Sequence, residues 1–220
     1  MGRAGAGAFA RARAGAPRGV LVSEAGTTYP ARHSALPEGG VRFMNKVIIV
    51  VDVLNGFTKR GALASARLAA AIPRLRAYLE DEVRAGANVI FLADTHRPDD
   101  PEFAMWPPHC VRGSGEEEVV EELRDFVQAG MLVPKTRYSG FFGTDLDAIL
   151  ARLQPDVVEV VGGFTDICVL HTVADLRNRD YPVVVRRELV DTYDAPGHAA
   201  DEINRFALTH MRDVLGARIE

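Results

Sequence analysis

The sequence has little of several things. Its 220 residues include two cysteines, Cys110 and Cys168, and one tryptophan, Trp106. Two cysteines are too few for a disulfide framework, and without a CxxC pair they suggest neither a zinc ribbon nor a redox dithiol. A reducing cytoplasm fits best, and each thiol has to be judged singly. Long apolar runs are missing: Val47–Val51 is stopped by Asp52, far short of the roughly 20 residues a membrane helix needs. Excess positive charge is missing too. A net charge of −4 and a pI near 5.9 give no basic field for phosphate backbones or anionic lipid, so neither nucleic acid nor membrane is expected as a partner.

What is present suits one globular unit, with 47% hydrophobic and 25% charged residues and no break in the middle. Residues 1–43 stand apart, with six arginines against two glutamates. Their formal charge of +4 leaves −8 on residues 44–220, given the total of −4. They lack an apolar h-region, which argues against a secretory signal; an Arg-rich transit peptide stays open. Met44 lies three residues before Val47, and codons for Glu38-Gly39-Gly40 can spell a ribosome-binding sequence. Translation is therefore expected to start at Met44, with residues 1–43 disordered if made.

From residue 46 onward the pattern alternates. "KVIIVVDV" (46–53), "NVIFLAD" (88–94) and "VVEVVGG" (157–163) are short apolar runs of the kind buried on both faces of a sheet, and "MLVPK" (131–135) and "YPVVVRR" (181–187) are weaker versions. Helical periodicity marks 65–86, with Ser65 as cap, Gly86 as stop and Pro73 as a kink or split. It also marks 116–130, 144–153, 165–180 and 198–216. Such alternation predicts a single-domain, doubly wound, mostly parallel α/β sheet of about six strands with helices on both faces. Ligands in such folds sit at the strands' carboxyl ends, where Asp52, Asp94, Lys135 and the Gly162-Gly163 corner all fall.

Each of these positions carries two readings. Asp52 either caps a turn or, in an apolar rim, serves as a general base. Lys135 is a solvated charge or a site residue. Cys168 follows "GGFTD", which can start a helix; the first turn's dipole and N–H groups favour a thiolate, although a buried cysteine can equally be a small hydrophobe. The neighbouring N–H groups could cradle an oxyanion. In "DTHRPDDPEFAMWPPHC", Asp94, His96, Glu102 and His109 suit Zn²⁺, Mn²⁺ or Fe²⁺, or are ordinary loop acids and incidental imidazoles. Trp106 walls a pocket or packs the loop, and Cys110 reads as structural.

Together these segments resemble the isochorismatase-like cysteine hydrolases, and within them the nicotinamidases. The resemblance runs over about residues 46–219 and rests on "VDVLNGF", "DTH" with "PEFAMWPPH", "KTRYSGFFGTDL", "GGFTDICVLHT" and "GHAADEINRFALTHM" in fixed order. It implies Asp52, Lys135 and Cys168 as the catalytic set. A cis peptide would fall between Gly163 and Phe164, with the N–H groups of Phe164 and Cys168 as oxyanion donors. Phe57, Trp106 and Tyr138 would bind substrate, while Asp94, His96, Glu102 and His109 would hold one divalent metal ion, zinc before manganese or iron. The chain departs from the pattern in a shorter stretch between His96 and Glu102 and in a bulky Phe164, which narrows the pocket. The implied activity is hydrolysis of nicotinamide to nicotinate and ammonia through a thioester, with a small-molecule substrate and a homo-oligomer expected. Competing readings are a related hydrolase of another small amide or carbamoyl compound, a catalytically silent metal-binding member, and a peroxide-sensing thiol at Cys168.

Overall fold

In the computed structural model the described residues are 44–220. The expectations for residues 1–43 lie outside them. The elements are β1 (Lys46–Val51), α1 (Asn55–Thr58), α2 (Ala66–Arg84), β2 (Asn88–Asp94), β3 (Leu132–Lys135), α3 (Leu146–Leu153), β4 (Val157–Gly163), α4 (Leu170–Asn178), β5 (Val183–Asp191), α5 (Ala200–Asp213) and β6 (Arg218–Ile219). The six strands form one parallel sheet in the order β3-β2-β1-β4-β5-β6. Among the described residues no helix is long and apolar enough to cross a membrane.

Successive strand residues point to opposite faces, and both faces are covered. On one, Val47, Ile49, Val51, Ile90, Leu92, Val158 and Val160 pack with Leu146, Ile149 and Leu150 of α3, Val173 and Leu176 of α4, and Ala207, Leu208 and Met211 of α5. On the other, Ile48, Val50, Val89, Phe91 and Val161 pack with Leu68, Ile72, Leu75 and Leu79 of α2. Hence the central strands read as continuous apolar runs. Ser65 caps α2, its hydroxyl accepting from Leu68 N at 3.4 Å, and the helix continues through Pro73 without splitting. Pro134 is tolerated in β3 because that strand is an edge.

Two expectations need correction. Residues 116–130 do not form an α-helix; only a 3₁₀ turn, Glu121–Phe126, appears there. The preceding backbone is claimed by other partners: Asn55 N donates to Glu118 O, Gly56 N to Glu116 O, and Val119 bridges Leu54. Burial of Val119 and Val120 then outweighs helix propensity. The helix expected over 165–180 begins as a π-helical turn, Thr165–Val169, before α4. The expectation of about six strands holds, the sixth being the two-residue β6, too short to show a pattern.

Candidate active site

Three adjacent strands deliver their polar ends to one place. Asp52 follows β1 with φ 51°, Asp94 ends β2, and Lys135 ends β3 in register with Asp94. Asp52 N donates to Leu92 O at 3.0 Å, and Asp94 N donates to Asp52 Oδ1 at 2.9 Å, which fixes the first carboxylate against the second strand. Lys135 Nζ donates to Asp94 Oδ1 at 3.0 Å and lies 2.8 Å from Asp52 Oδ2, there as an ion pair rather than an aligned hydrogen bond. The same nitrogen is 3.5 Å from Cys168 Sγ. All four residues are buried.

Cys168 reaches this position from the far side of β1. At the end of β4, Gly162 has φ 106°, and a Cβ there would sit 2.2 Å from Val51 O, so only glycine lets β4 hug β1. The Gly163–Phe164 peptide is cis. Phe164 O then accepts from Ile167 N at 3.0 Å and Val169 N at 3.1 Å, closing the turn that carries the sulfur.

Burial governs the proton distribution. It pushes the Asp52 carboxyl up against the pull of the Lys135 ammonium, and it pushes the Cys168 thiol well above its ordinary range despite the same cation. For Lys135, burial works toward neutrality, but the Asp52 and Asp94 carboxylates overcome it and keep the ammonium. Cys168 therefore rests as a thiol. Desolvation of the fully buried sulfur outweighs the pull toward thiolate that a helix start supplies.

The four metal-binding candidates also converge. Asp94, His96, Glu102 and His109 are buried, with one donor atom from each lying within 4.8 Å of all the others. His109 Nδ1 donates to Pro107 O at 2.8 Å, which turns its Nε2 toward Asp94 Oδ2 at 3.3 Å. His96 Nε2 is 3.1 Å from that same oxygen. Glu102 Oε2 is buried without a hydrogen-bond partner, the nearest cation being Arg137 Nη1 at 3.6 Å. Two imidazoles and two carboxylates converging within one ion's reach, with a buried Glu102 oxygen that no hydrogen bond satisfies, fit a divalent cation. The short stretch after His96 does not displace Glu102, because Asp100 caps a 3₁₀ turn, Pro101–Ala104, and accepts from Glu102 N at 2.9 Å.

Between sulfur and cluster lies a cavity of about 310 Å³. Phe57, Trp106, Tyr138 and Phe164 line it, as do Asp94, Glu102, His109 and Cys168. Trp106 Nε1 donates to Tyr138 OH at 3.0 Å, and the rings of Phe57 and Phe164 meet edge to face at 5.3 Å. Three contributors escaped sequence reasoning. Ile167 and Tyr193 also face the cavity. Asp100, buried beside the cluster, places Oδ2 3.1 Å from His96 Nδ1 and accepts from Arg137 Nη1 at 2.9 Å. A carboxylate four residues after a candidate ligand histidine was the available signal for Asp100.

A model of the isochorismatase domain matches residues 46–217. The chain belongs to the isochorismatase family. Among solved members, nicotinamidase PncA from Bacillus subtilis is 32% identical, covering 80% of this chain and 99% of its own, with a TM-score of 0.67. N-carbamoylsarcosine amidase from Thermoplasma acidophilum is 33% identical over 80% of this chain and 96% of its own, with a TM-score of 0.69. The pyrazinamidase of Pyrococcus horikoshii, solved in complex with zinc, is 28% identical over 80% and 98%, with a TM-score of 0.70. An isochorismatase-family hydrolase is thus the common ground, and the neighbours' substrates differ.

Proposed function

We propose that this hydrolase is a metal-assisted cysteine amidase that converts nicotinamide to nicotinate and ammonia. One observation carries the reading: Cys168, its sulfur 3.5 Å from the Lys135 ammonium, lines the same aromatic cavity as Asp94, Glu102 and His109 of the four-donor cluster. A cation held by Asp94, His96, Glu102 and His109 would supply a Lewis-acid contact for a ring nitrogen, and with it the ring's orientation.

The chain's own residues do the rest. Asp52 takes the thiol proton as Cys168 attacks the carboxamide carbon, so the sulfur is deprotonated in the step rather than beforehand. Lys135 stays cationic and offsets the negative charge. The N–H groups of Phe164 and Cys168, both on the turn carrying the sulfur, are assigned to the oxyanion; losing one such donor costs about 3 kcal/mol. Asp52 returns the proton to nitrogen, the C–N bond breaks and ammonia leaves a thioester. Water then attacks the acyl carbon, Asp52 accepts its proton and passes it to sulfur as the C–S bond breaks, and the released acid loses its remaining proton to solvent as nicotinate.

Hydrolysis of a carbamoylated amine is a second reading, favoured by the 33% identity to N-carbamoylsarcosine amidase. It gives the donor cluster on the cavity wall no task. The test is ammonia release from nicotinamide, pyrazinamide, benzamide and N-carbamoylsarcosine, with bound metal measured in parallel. Nicotinamide and pyrazinamide are expected to turn over well ahead of benzamide, which lacks a ring nitrogen; preference for the carbamoyl compound would replace the proposal. Cys168→Ala is expected to lose roughly 10⁴-fold or more in rate while keeping its metal.

A further inference from the structure

The segment after β5 builds a device outside the sulfur, lysine and donor cluster. Ala195-Pro196-Gly197-His198 is a closed turn: Ala195 N donates to His198 O at 3.0 Å and His198 N to Ala195 O at 2.9 Å, with Gly197 at φ 77°. Proline then glycine with positive φ is the pattern of a type II turn. The turn folds His198 back over Tyr193, whose ring it stacks on at 4.1 Å and 5°. His198 Nδ1 faces Tyr193 O at 2.8 Å, and Nε2 faces Asp166 Oδ2 at 3.0 Å. Both partners are acceptors, so both ring nitrogens donate. Thr192 Oγ1 donates to the other oxygen of Asp166 at 2.6 Å.

Asp166 stands two residues before Cys168, on the same turn. Tyr193 lines the cavity and meets two other lining rings edge to face, Phe164 at 5.5 Å and Trp106 at 6.5 Å. One carboxylate therefore ties the cavity's outer wall to the turn that carries the nucleophile. Arg67 holds the segment's flanks separately, through Asp191 at 3.1 Å and Asp201 at 2.7 Å.

We propose that Tyr193 is a further specificity residue, the face against which a flat heteroaromatic ring is held, and that His198 and Asp166 are the positioning residues that set it. The inference rests on the amidase reading of the cavity. An offset-stacked or edge-to-face aromatic contact is worth about 0.5 to 1.5 kcal/mol, equivalent to about 2- to 12-fold in affinity.

The experiment is a cycle of Tyr193→Ala, His198→Ala and their combination, with Tyr193→Phe as control. Each alanine variant is expected to raise KM for nicotinamide about three- to tenfold, with kcat within about threefold. The double variant is expected to match Tyr193→Ala, and Tyr193→Phe to match the wild type. A wild-type KM in His198→Ala, or effects that multiply in the double variant, would overturn the proposal. Trp106, the sole tryptophan, gives a second readout in substrate-free protein: its emission is expected to shift alike in both single variants and no further in the double. If the wild-type enzyme releases no ammonia from nicotinamide, the functional reading falls, and an unshifted emission in His198→Ala then sinks the positioning role by itself.

Discussion

The ammonium of Lys135 lies 2.8 Å from one buried carboxylate and 3.0 Å from another. Both Asp52 and Asp94 are buried, so the lysine is as much a structural counter-charge as a chemical one. Lys135→Met keeps the length and removes the charge. It is expected to destabilise the fold by about 3 to 5 kcal/mol in urea titrations and to abolish turnover, because a buried carboxylate without a partner is costly. Two of these positions were visible in the sequence for the same physical reason: Asp52 and Asp94 each stop an apolar run where a free charge would be expensive. Tyr193 was invisible, since nothing in "DTYDAPGH" tells a ring on a cavity wall from a ring on a surface loop.

Elements place these side chains, and two small features decide how well. Gly162 lets β4 approach β1; Gly162→Ala would combine a 2.2 Å clash with a φ of 106° and is expected to cost about 3 kcal/mol or more, measured by chemical unfolding. The 3₁₀ turn at Pro101–Ala104 sets Glu102, and its cap Asp100 also touches His96. Asp100→Ser retains a capping oxygen but not the carboxylate beside His96. Its melting temperature is expected to stay near wild type while zinc affinity, measured by chelator competition, drops about 10- to 100-fold. Sequence patterns located β1 to β5 and α2, because continuous apolar runs and three-to-four spacing are local signals. They failed at 116–130, where three glutamates suggest a helix start. There, backbone bonds to Asn55 and Gly56, some 60 residues away, override the local preference.

Across the whole molecule, one carboxylate is buried in the sheet far from the cavity. Glu159, mid-strand in β4, is held by Arg186 through contacts of 2.8 and 2.9 Å, by Lys46 at 3.1 Å, and by the Tyr78 hydroxyl of α2. Burial works to raise its pKa, but these partners win and hold it below the ordinary 4.5. The sign follows. A carboxyl lowered on folding adds stability that is complete above its unfolded pKa and fades as pH falls through the folded one. Glu159→Gln is expected to lose about 2 kcal/mol at neutral pH, the flanking cations being partly hydrated, and to show a flatter decline in stability below about pH 4.5 than the parent. Thermal melts across an acid series check both. The division of labour between strands and connections has a last consequence. Asp52, Lys135 and Cys168, the proposed bond-breaking trio, are anchored at strand ends and in the turn after β4, whereas the candidate cation ligands beyond Asp94 and the outer aromatic face ride on the 95–109 and 192–199 connections. Exchanging those two stretches with a relative's would re-tool what the enzyme accepts and leave the machinery that cleaves it in place.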